Sequence, residues 1–173
     1  LKKMGANNVS FCFELIDEPR LKEVCPGKSS YVGLQRYLEA IEYCAKKFDT
    51  TNGEIIAGLE PVEKTLEAID WITEVGAIPT VCVFRPLKGT DYEKVPTPKT
   101  EEMVPVFARL YERCMEKNLP IGIAPNVLVS IVLLPDEGRY FLEDMDRYPL
   151  KRAKLWAMKK AFSKIFKARL RVE

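Results

Sequence analysis

The sequence contains no histidine, no closely spaced cysteines and no long hydrophobic run, and each absence excludes a class of protein. Without histidine, the chain by itself forms neither a Ser-His-Asp triad nor a Cys-His dyad, and it offers no imidazole to a metal. The five cysteines lie at least 13 residues apart, so CxxC pairs and the short spacings of zinc sites are missing. The longest apolar run, residues 127–134, is far shorter than the roughly 20 residues that span a bilayer.

Motifs that commonly bind phosphate-bearing cofactors are missing as well. The chain has neither the GxGxxG fingerprint of dinucleotide sites nor the lysine-containing loop of nucleoside triphosphate sites. Its first residues lack the apolar stretch of a secretory signal, and an odd number of widely spaced cysteines is typical of reduced thiols. We therefore expect a cytoplasmic protein, and because the chain begins with leucine we expect further residues upstream.

The 173 residues are enough for one hydrophobic core, since 47% are apolar and 30% are charged. The net charge of +2 conceals an asymmetry along the chain. Residues 150–173 carry nine bases and one acid, whereas the first 149 residues carry 18 bases and 24 acids. The composition therefore predicts an acidic body over residues 1–148 and a basic helix over residues 149–173.

The basic helix has an apolar stripe formed by Leu155, Met158, Phe162 and Ile165. A helix of this kind can lie on an anionic membrane, bind RNA or dock on an acidic protein. It can also cover the open end of the domain with its stripe while its lysines stay in solvent. We favour the packed arrangement, in which Leu155, Phe162 and one of Trp156 and Met158 are buried, and we expect no specific nucleic acid partner.

Hydrophobic periodicity predicts strands that alternate with helices along most of the chain. Alternating and short apolar runs predict three strands, at residues 8–16, 53–58 and 77–85. Apolar residues at helical spacing predict three helices, at residues 30–48, 62–75 and 101–117. The charged segment 17–28 is predicted as a loop, and residues 120–134 as one or two further strands.

Three consecutive strand–helix units form a parallel sheet with right-handed crossovers, which places the protein in the α/β class. Both a doubly wound sheet and part of a (β/α) barrel satisfy this pattern. In either architecture, ligand-binding side chains collect at the carboxyl ends of the strands.

Those strand ends carry two carboxylates and a guanidinium, from Glu14, Glu60 and Arg85. Such a set suits a zwitterionic or ribose-bearing ligand. Glu60 can equally cap the helix that follows it or interact favourably with the helix dipole, and Arg85 can pair with a surface acid. Next to Glu60, Gly58 lets the backbone approach a flat ring closely, or simply permits the turn out of the strand.

Three segments resemble the core of radical S-adenosylmethionine (SAM) enzymes, most of all the biotin synthase and lipoyl synthase group. Residues 53–60, GEIIAGLE, are similar to the GxIxGxxE pattern of that family. Residues 84–90, FRPLKGT, resemble the family strand that ends in a GT turn. Residues 13–15, followed by a helix that bears Arg36, resemble the strand with a polar SAM-contacting residue and the arginine of the next helix.

The resemblance covers about residues 5–90 and implies a partial (β/α)6 TIM-like barrel, of which this chain supplies the last three units. It implies that Glu14 contacts the SAM ribose or amino group and that Arg36 binds the SAM carboxylate. It also implies cofactor contacts at positions of the GEIIAGLE segment, which are Ile55, Ala57, Gly58 and Glu60. Ile55 as a core residue and Arg36 as a solvated helix residue are the alternatives. Arg85 is the candidate for substrate binding, and no catalytic residue or metal ligand is assigned.

The sequence departs from the family pattern in two places. Ala57 stands where the family usually has glycine, and the neighbouring Gly58 can take the place of that glycine. The CxxxCxxC loop that binds the [4Fe-4S] cluster in the family is missing, and the spacing of the five cysteines cannot supply it. We therefore expect the cluster ligands and the N-terminal half of the barrel to come from the same polypeptide or from a partner chain.

The resemblance implies the SAM-binding half of an enzyme that generates a 5′-deoxyadenosyl radical and removes hydrogen from a small-molecule substrate. Two other functions stay open. A TIM-barrel-like lyase or aldolase domain would use Glu14, Arg85 and Lys88 without SAM, and a non-catalytic binding module would work through the basic tail.

Overall fold

The computed structural model describes residues 1–121 and 133–170, and for residues 166–170 it describes the backbone alone. Three strands form a parallel sheet in the order β1 (Asn8–Glu14), β2 (Thr50–Ala57) and β3 (Ile78–Val83). The described α-helices are α1 (Glu18–Val24), α2 (Pro26–Tyr31), α3 (Leu34–Ala45), α4 (Val62–Glu74), α5 (Thr100–Glu116) and α6 (Pro149–Leu170). Short 3₁₀ helices span Lys2–Met4 and Pro135–Phe141. The α/β class and the three parallel strand–helix units predicted from the sequence are confirmed.

Side chains along β2 alternate between buried and partly exposed positions, so one face of the sheet is buried and the other is partly exposed. The buried set of β2 is Thr51, Gly53, Ile55 and Ala57. This side packs under α3 and α4, and a Cβ built on Gly53 would lie 3.0 Å from the Ile72 side chain of α4. The hydrophobic core therefore lies between this side of the sheet and the helices.

The other side of the sheet, here named the polar face, carries mostly polar and thiol side chains. Its members are Asn8, Ser10, Cys12, Thr50, Asn52, Glu54, Ile56, Ile78, Thr80 and Cys82. Cys12 is in register with Glu54, and Glu54 with Thr80, so one row of the polar face crosses all three strands. Asn52 Nδ2 donates to Thr80 Oγ1 at 3.2 Å, which links two rows of this face.

The segment predicted as a loop at residues 17–28 is helical instead. Asp17 caps α1, because its Oδ1 accepts the backbone N–H of Arg20 at 3.0 Å, and Pro19 lies in the first turn. Pro26 is the first residue of α2, which has no side-chain cap. The charges and prolines of this segment are typical of a loop. Acids and prolines are also favourable in a first helical turn, however, and here they begin two short helices.

The helix predicted at 30–48 is divided in the structure. Gly33 adopts a φ of +82° between α2 and α3, a backbone conformation that ends one helix and redirects the chain into the next. Ser30, the first residue of the predicted helix, lies inside α2, and its hydroxyl donates to the carbonyl of Gly27 at 3.3 Å. The apolar face of α3 nevertheless buries Leu34 and Ile41 as the periodicity predicts.

Helix α5 packs against α4, and ion pairs fix their relative position. The guanidinium of Arg109 donates to both carboxylate oxygens of Asp70 at 2.8 Å. Arg113 contacts Asp70 at 3.1 Å and Glu74 at 3.0 Å from the same helix face. Bidentate pairs of this kind give geometric specificity as well as energy.

Helix α6 confirms the basic helix predicted from Pro149 onward, but most of the predicted stripe is not buried. Leu155 is 8% exposed and packs in a small cluster with Tyr111, Cys114, Met115 and Ile121. Trp156 is 62% exposed and Ile165 54%, and Met158 and Phe162 are also exposed. The expected burial of Leu155 is therefore confirmed, whereas the expected burial of Phe162 and of Trp156 or Met158 is wrong.

None of the described helices combines the length and the apolar character that a membrane-crossing segment requires. The further strands predicted within residues 120–134 fall largely on residues 122–132, which lie outside the described part of the chain.

Truncation of Leu155 should destabilise the protein through lost packing. Because Leu155 is the buried contact of α6, Leu155→Ala should lower the free energy of unfolding by about 2–5 kcal/mol. Ile165→Ala is the matched control, and its effect should stay within about 0.5 kcal/mol since Ile165 is exposed. Urea denaturation of the two variants measures the difference. Equal stability of both variants would contradict the assignment of Leu155 as the anchor of α6.

Candidate functional site

Glu14 ends β1 in an unusual backbone conformation. Its φ is +71°, and the N–H of Leu15 donates to the carbonyl of Phe13 at 2.9 Å, which closes a three-residue turn around Glu14. The register with β2 shifts by one residue between Cys12 and Glu14. Left-handed backbone at a residue other than glycine is costly and is concentrated at functional sites. The strand therefore ends two residues earlier than predicted, and this turn sets the direction of the Glu14 carboxylate.

The Glu14 carboxylate pairs with Lys28 of α2. The Lys28 ammonium donates to Glu14 Oε1 and, at 2.8 Å, to the carbonyl of Cys12. Burial alone would lower the pKa of Lys28, but the hydrogen bond and charge of Glu14 outweigh it and raise that pKa, so Lys28 stays protonated. Because Lys28 bonds both Glu14 and the backbone of Cys12, the carboxylate lies beside the polar face. Burial is the main cause of the raised pKa values of Cys12 and Cys82, and the charge of Glu14 adds to it.

Glu54 lies on the central strand of the polar face. Ser10 donates its hydroxyl to Glu54 Oε1, and the Cys12 thiol donates to Oε2 at 3.0 Å. Burial, followed by this hydrogen bond, raises the pKa of Cys12 to about 12, so the thiol stays protonated at neutral pH. In the part of the chain that the structure describes, Glu54 forms no ion pair with a lysine or arginine.

Glu60 joins the loop after β1 to the loop after β2. Its Oε2 accepts the backbone N–H groups of Ile16 and Asp17 at 3.1 and 3.0 Å, and its Oε1 faces the Thr65 hydroxyl at 3.4 Å. Burial raises the pKa of Glu60, although these hydrogen bonds act in the opposite direction. Both oxygens are engaged by protein donors, so the contacts in the structure give Glu60 a positioning role at the rim of the sheet.

The space beside Gly58 is filled by the protein itself. Gly58 has a φ of +98°, and a Cβ at this position would lie 2.5 Å from Cγ of Pro98. A ring does approach the backbone here, as the sequence suggests, but it is the pyrrolidine of Pro98. The side chains of Ile55 and Ala57 are fully buried in the core, which agrees with the alternative reading of Ile55 as a core residue.

Arg36 and Arg85 are both exposed and stand apart from the contacts described above. Arg36 lies in the first turn of α3, and Arg85 follows the end of β3. Arg85 is near enough to Cys82 for its charge to oppose the rise in the pKa of that thiol. Lys88, the other cation considered for a lyase, is exposed in the turn after β3. Neither arginine forms an ion pair with another described residue.

The five cysteines are free thiols. Within the described ranges, no three Cys, Asp or Glu side chains are grouped so that they could hold a metal ion. The residues of this part of the chain therefore do not fit a [4Fe-4S] cluster, which needs cysteine thiolates around one centre.

Lys28 and Glu54 are the site residues that the sequence reasoning missed. Lys28 lies in the segment that the sequence predicts as a loop, and no pattern in the sequence pairs it with Glu14. For Glu54 the sequence does contain a signal, because Asn52 and Glu54 alternate with Gly53 and Ile55 as the two faces of a strand do. The predicted strand begins at Gly53, so this alternation is not recognised as a polar face.

Gly58 is expected to tolerate no side chain. Gly58→Ala should lower the free energy of unfolding by about 2–5 kcal/mol, because the positive φ costs about 1–2 kcal/mol and overpacking against Pro98 adds about 1–3 kcal/mol. Gly76→Ala is the control, since Gly76 has a φ of +84° but no atom within 4 Å of a Cβ. Chemical denaturation should show the smaller loss in the control. Equal losses would mean that Pro98 does not press on Gly58.

The raised pKa of Glu60 should make its contribution to stability depend on pH. Since the folded pKa lies above the ordinary value of 4.5, this contribution is full below pH 4.5 and is lost as the pH rises through the folded pKa. The wild-type protein should therefore lose stability relative to Glu60→Gln as the pH rises. Unfolding free energies of both proteins at several pH values test this, with Glu143→Gln, an exposed site, as the control. A difference that is constant with pH would contradict it.

No family model matches the sequence, and no solved structure matches it. A curated protein similar to the chain is the bacteriochlorophyllide c C-7(1)-hydroxylase of Chlorobaculum limnaeum, with 33% identity over 106 residues. The aligned segment is 60% of this chain and 26% of the hydroxylase. The chain therefore matches about a quarter of the length of this relative, and the relative is an enzyme.

Proposed function

We propose that the chain is the SAM-binding half of a radical SAM enzyme that removes hydrogen from a carbon of a small-molecule substrate. The rest of the barrel and the cysteines that hold the [4Fe-4S] cluster then belong to the other half, in the same polypeptide or in a partner chain. The observation that carries the proposal is the Glu14 carboxylate, held with Lys28 beside the polar face at the carboxyl end of β1.

The arrangement of the sheet supports a ligand on the polar face. Parallel strands with helices on one side leave their other side for the inside of a barrel, and ligands bind at the carboxyl ends of such strands. The polar face offers hydroxyl, amide, thiol and carboxylate groups, from Ser10, Asn52, Cys12 and Glu54 among others. These groups fit the ribose hydroxyls and the charged groups of SAM.

The residues of the chain would act by binding and orienting SAM. Glu14 would accept hydrogen bonds from the ribose or amino group, and its turn and its pairing with Lys28 hold the carboxylate in place. Arg36 is exposed and without an ion pair among the described residues, so its guanidinium is available to the SAM carboxylate. When bound, SAM supplies the hydrogen-abstracting chemistry in the family that the sequence resembles.

The hydroxylase relative supports the same class of reaction. A hydroxylase replaces hydrogen on carbon by a hydroxyl group, and the relative does so at C-7(1) of a bacteriochlorophyllide, as its name states. Removal of hydrogen from carbon is also the step that the resemblance to radical SAM enzymes implies. The two lines of argument therefore agree on a C–H bond as the reacting bond of the substrate.

Calorimetric titration of SAM into the protein tests this function. The wild type should bind SAM, and Glu14→Gln should weaken binding about tenfold to a hundredfold, because a hydrogen bond to a charged group contributes about 1.5–3 kcal/mol. Glu143→Gln, an acid in an exposed position, should bind like the wild type. Wild-type affinity in Glu14→Gln would remove Glu14 from the site, and a wild type that fails to bind SAM would favour the lyase or binding-module alternatives.

A further inference from the structure

We propose that Glu54 provides the counter-charge for the sulfonium group of SAM on the polar face. This inference rests on the proposed function and gives a role to a residue of β2 for which the sequence resemblance implies no cofactor contact. It begins from a carboxylate that is partly buried in the sheet and forms no ion pair with a cation in the described part of the chain.

The environment of Glu54 differs from that of Glu14. Glu14 is neutralised by the Lys28 ammonium, whereas the hydrogen-bond donors to Glu54 are the neutral hydroxyl of Ser10 and the neutral thiol of Cys12. No described lysine or arginine lies within ion-pair distance of Glu54. A partly buried anion without a counter-ion costs desolvation free energy, so a cationic group of a ligand that contacts the anion is bound favourably.

The hydrogen bonds of Glu54 favour a sulfonium over an ammonium. Both carboxylate oxygens already accept a hydrogen bond, one from Ser10 and one from Cys12. An ammonium brings three N–H donors that need acceptors, whereas a sulfonium brings charge and no donors. Glu54 therefore offers what a sulfonium needs, which is negative charge at contact distance.

The neighbours of Glu54 suit the carbon substituents of a sulfonium. Ile56 lies two residues along β2 on the same face, and Cys82 is in register with Ile56 on β3. Burial keeps the Cys82 and Cys12 thiols protonated by raising their pKa values, so both behave as small apolar groups. A methyl-bearing cation can contact these side chains without desolvating another charge.

The comparison of SAM with S-adenosylhomocysteine provides the test, since the two differ only in the S-methyl group and the sulfonium charge that comes with it. Glu54→Gln removes the partner of the charge but not the apolar neighbours of the methyl group. Calorimetry should show that the wild type prefers SAM at least tenfold. Glu54→Gln should reduce this preference to nearly one, with the affinity for S-adenosylhomocysteine within about twofold of the wild type. Glu54→Asp should keep most of the preference because it keeps the charge, and Glu143→Gln should match the wild type.

The outcomes separate this inference from the proposed function. A Glu54→Gln protein that keeps the tenfold preference, or that loses affinity for both compounds alike, overturns the role of Glu54 while SAM binding by the wild type stands. A wild type that binds neither compound overturns both proposals. The preference of the wild type should also fall as salt is added, because an ion pair at a partly exposed surface is screened.

Discussion

Because β2 is hydrogen-bonded to a strand on each side, the alternation of its side chains decides the architecture of the whole sheet. The buried residues on one side accept α3 and α4, and this burial drives folding of the strand–helix units. The polar residues on the other side cannot take part in that core. The eight residues of β2 therefore determine both where the helices pack and where a ligand can approach.

The carboxyl edge of the sheet is held by contacts that cross from one loop to the next. Glu60 accepts two backbone N–H groups from the segment after β1, and the guanidinium of Arg20 donates to the carbonyl of Leu59 at 2.7 Å. Pro98 rests on Gly58 from the segment before α5. These contacts link the loops at this edge without using the carboxylates of Glu14 and Glu54, which bond instead to Lys28 and to Ser10 and Cys12.

Glu54 on the polar face and Glu14 beside it have different electrostatic partners, and that difference gives them different expected roles. Glu14 is paired with Lys28, so it is suited to orient a neutral or hydrogen-bonding group. Among the described residues, the hydrogen-bond donors to Glu54 are neutral, so its charge is left for a cation. Thiols that stay protonated between and beside them add contact area without adding charge.

Sequence periodicity by itself determined the order of strands and helices, the α/β class and the basic helix at the end, because these depend on local spacing of apolar residues. It also placed Glu14, Glu60 and Arg85 at strand ends. Tertiary structure alone decided that Lys28 meets Glu14, that Pro98 fills the space at Gly58, and that α6 buries Leu155 rather than its whole stripe. Such contacts join residues far apart in the chain, and their geometry depends on how the sheet, the turn at Glu14 and the helices pack together, which no local pattern records.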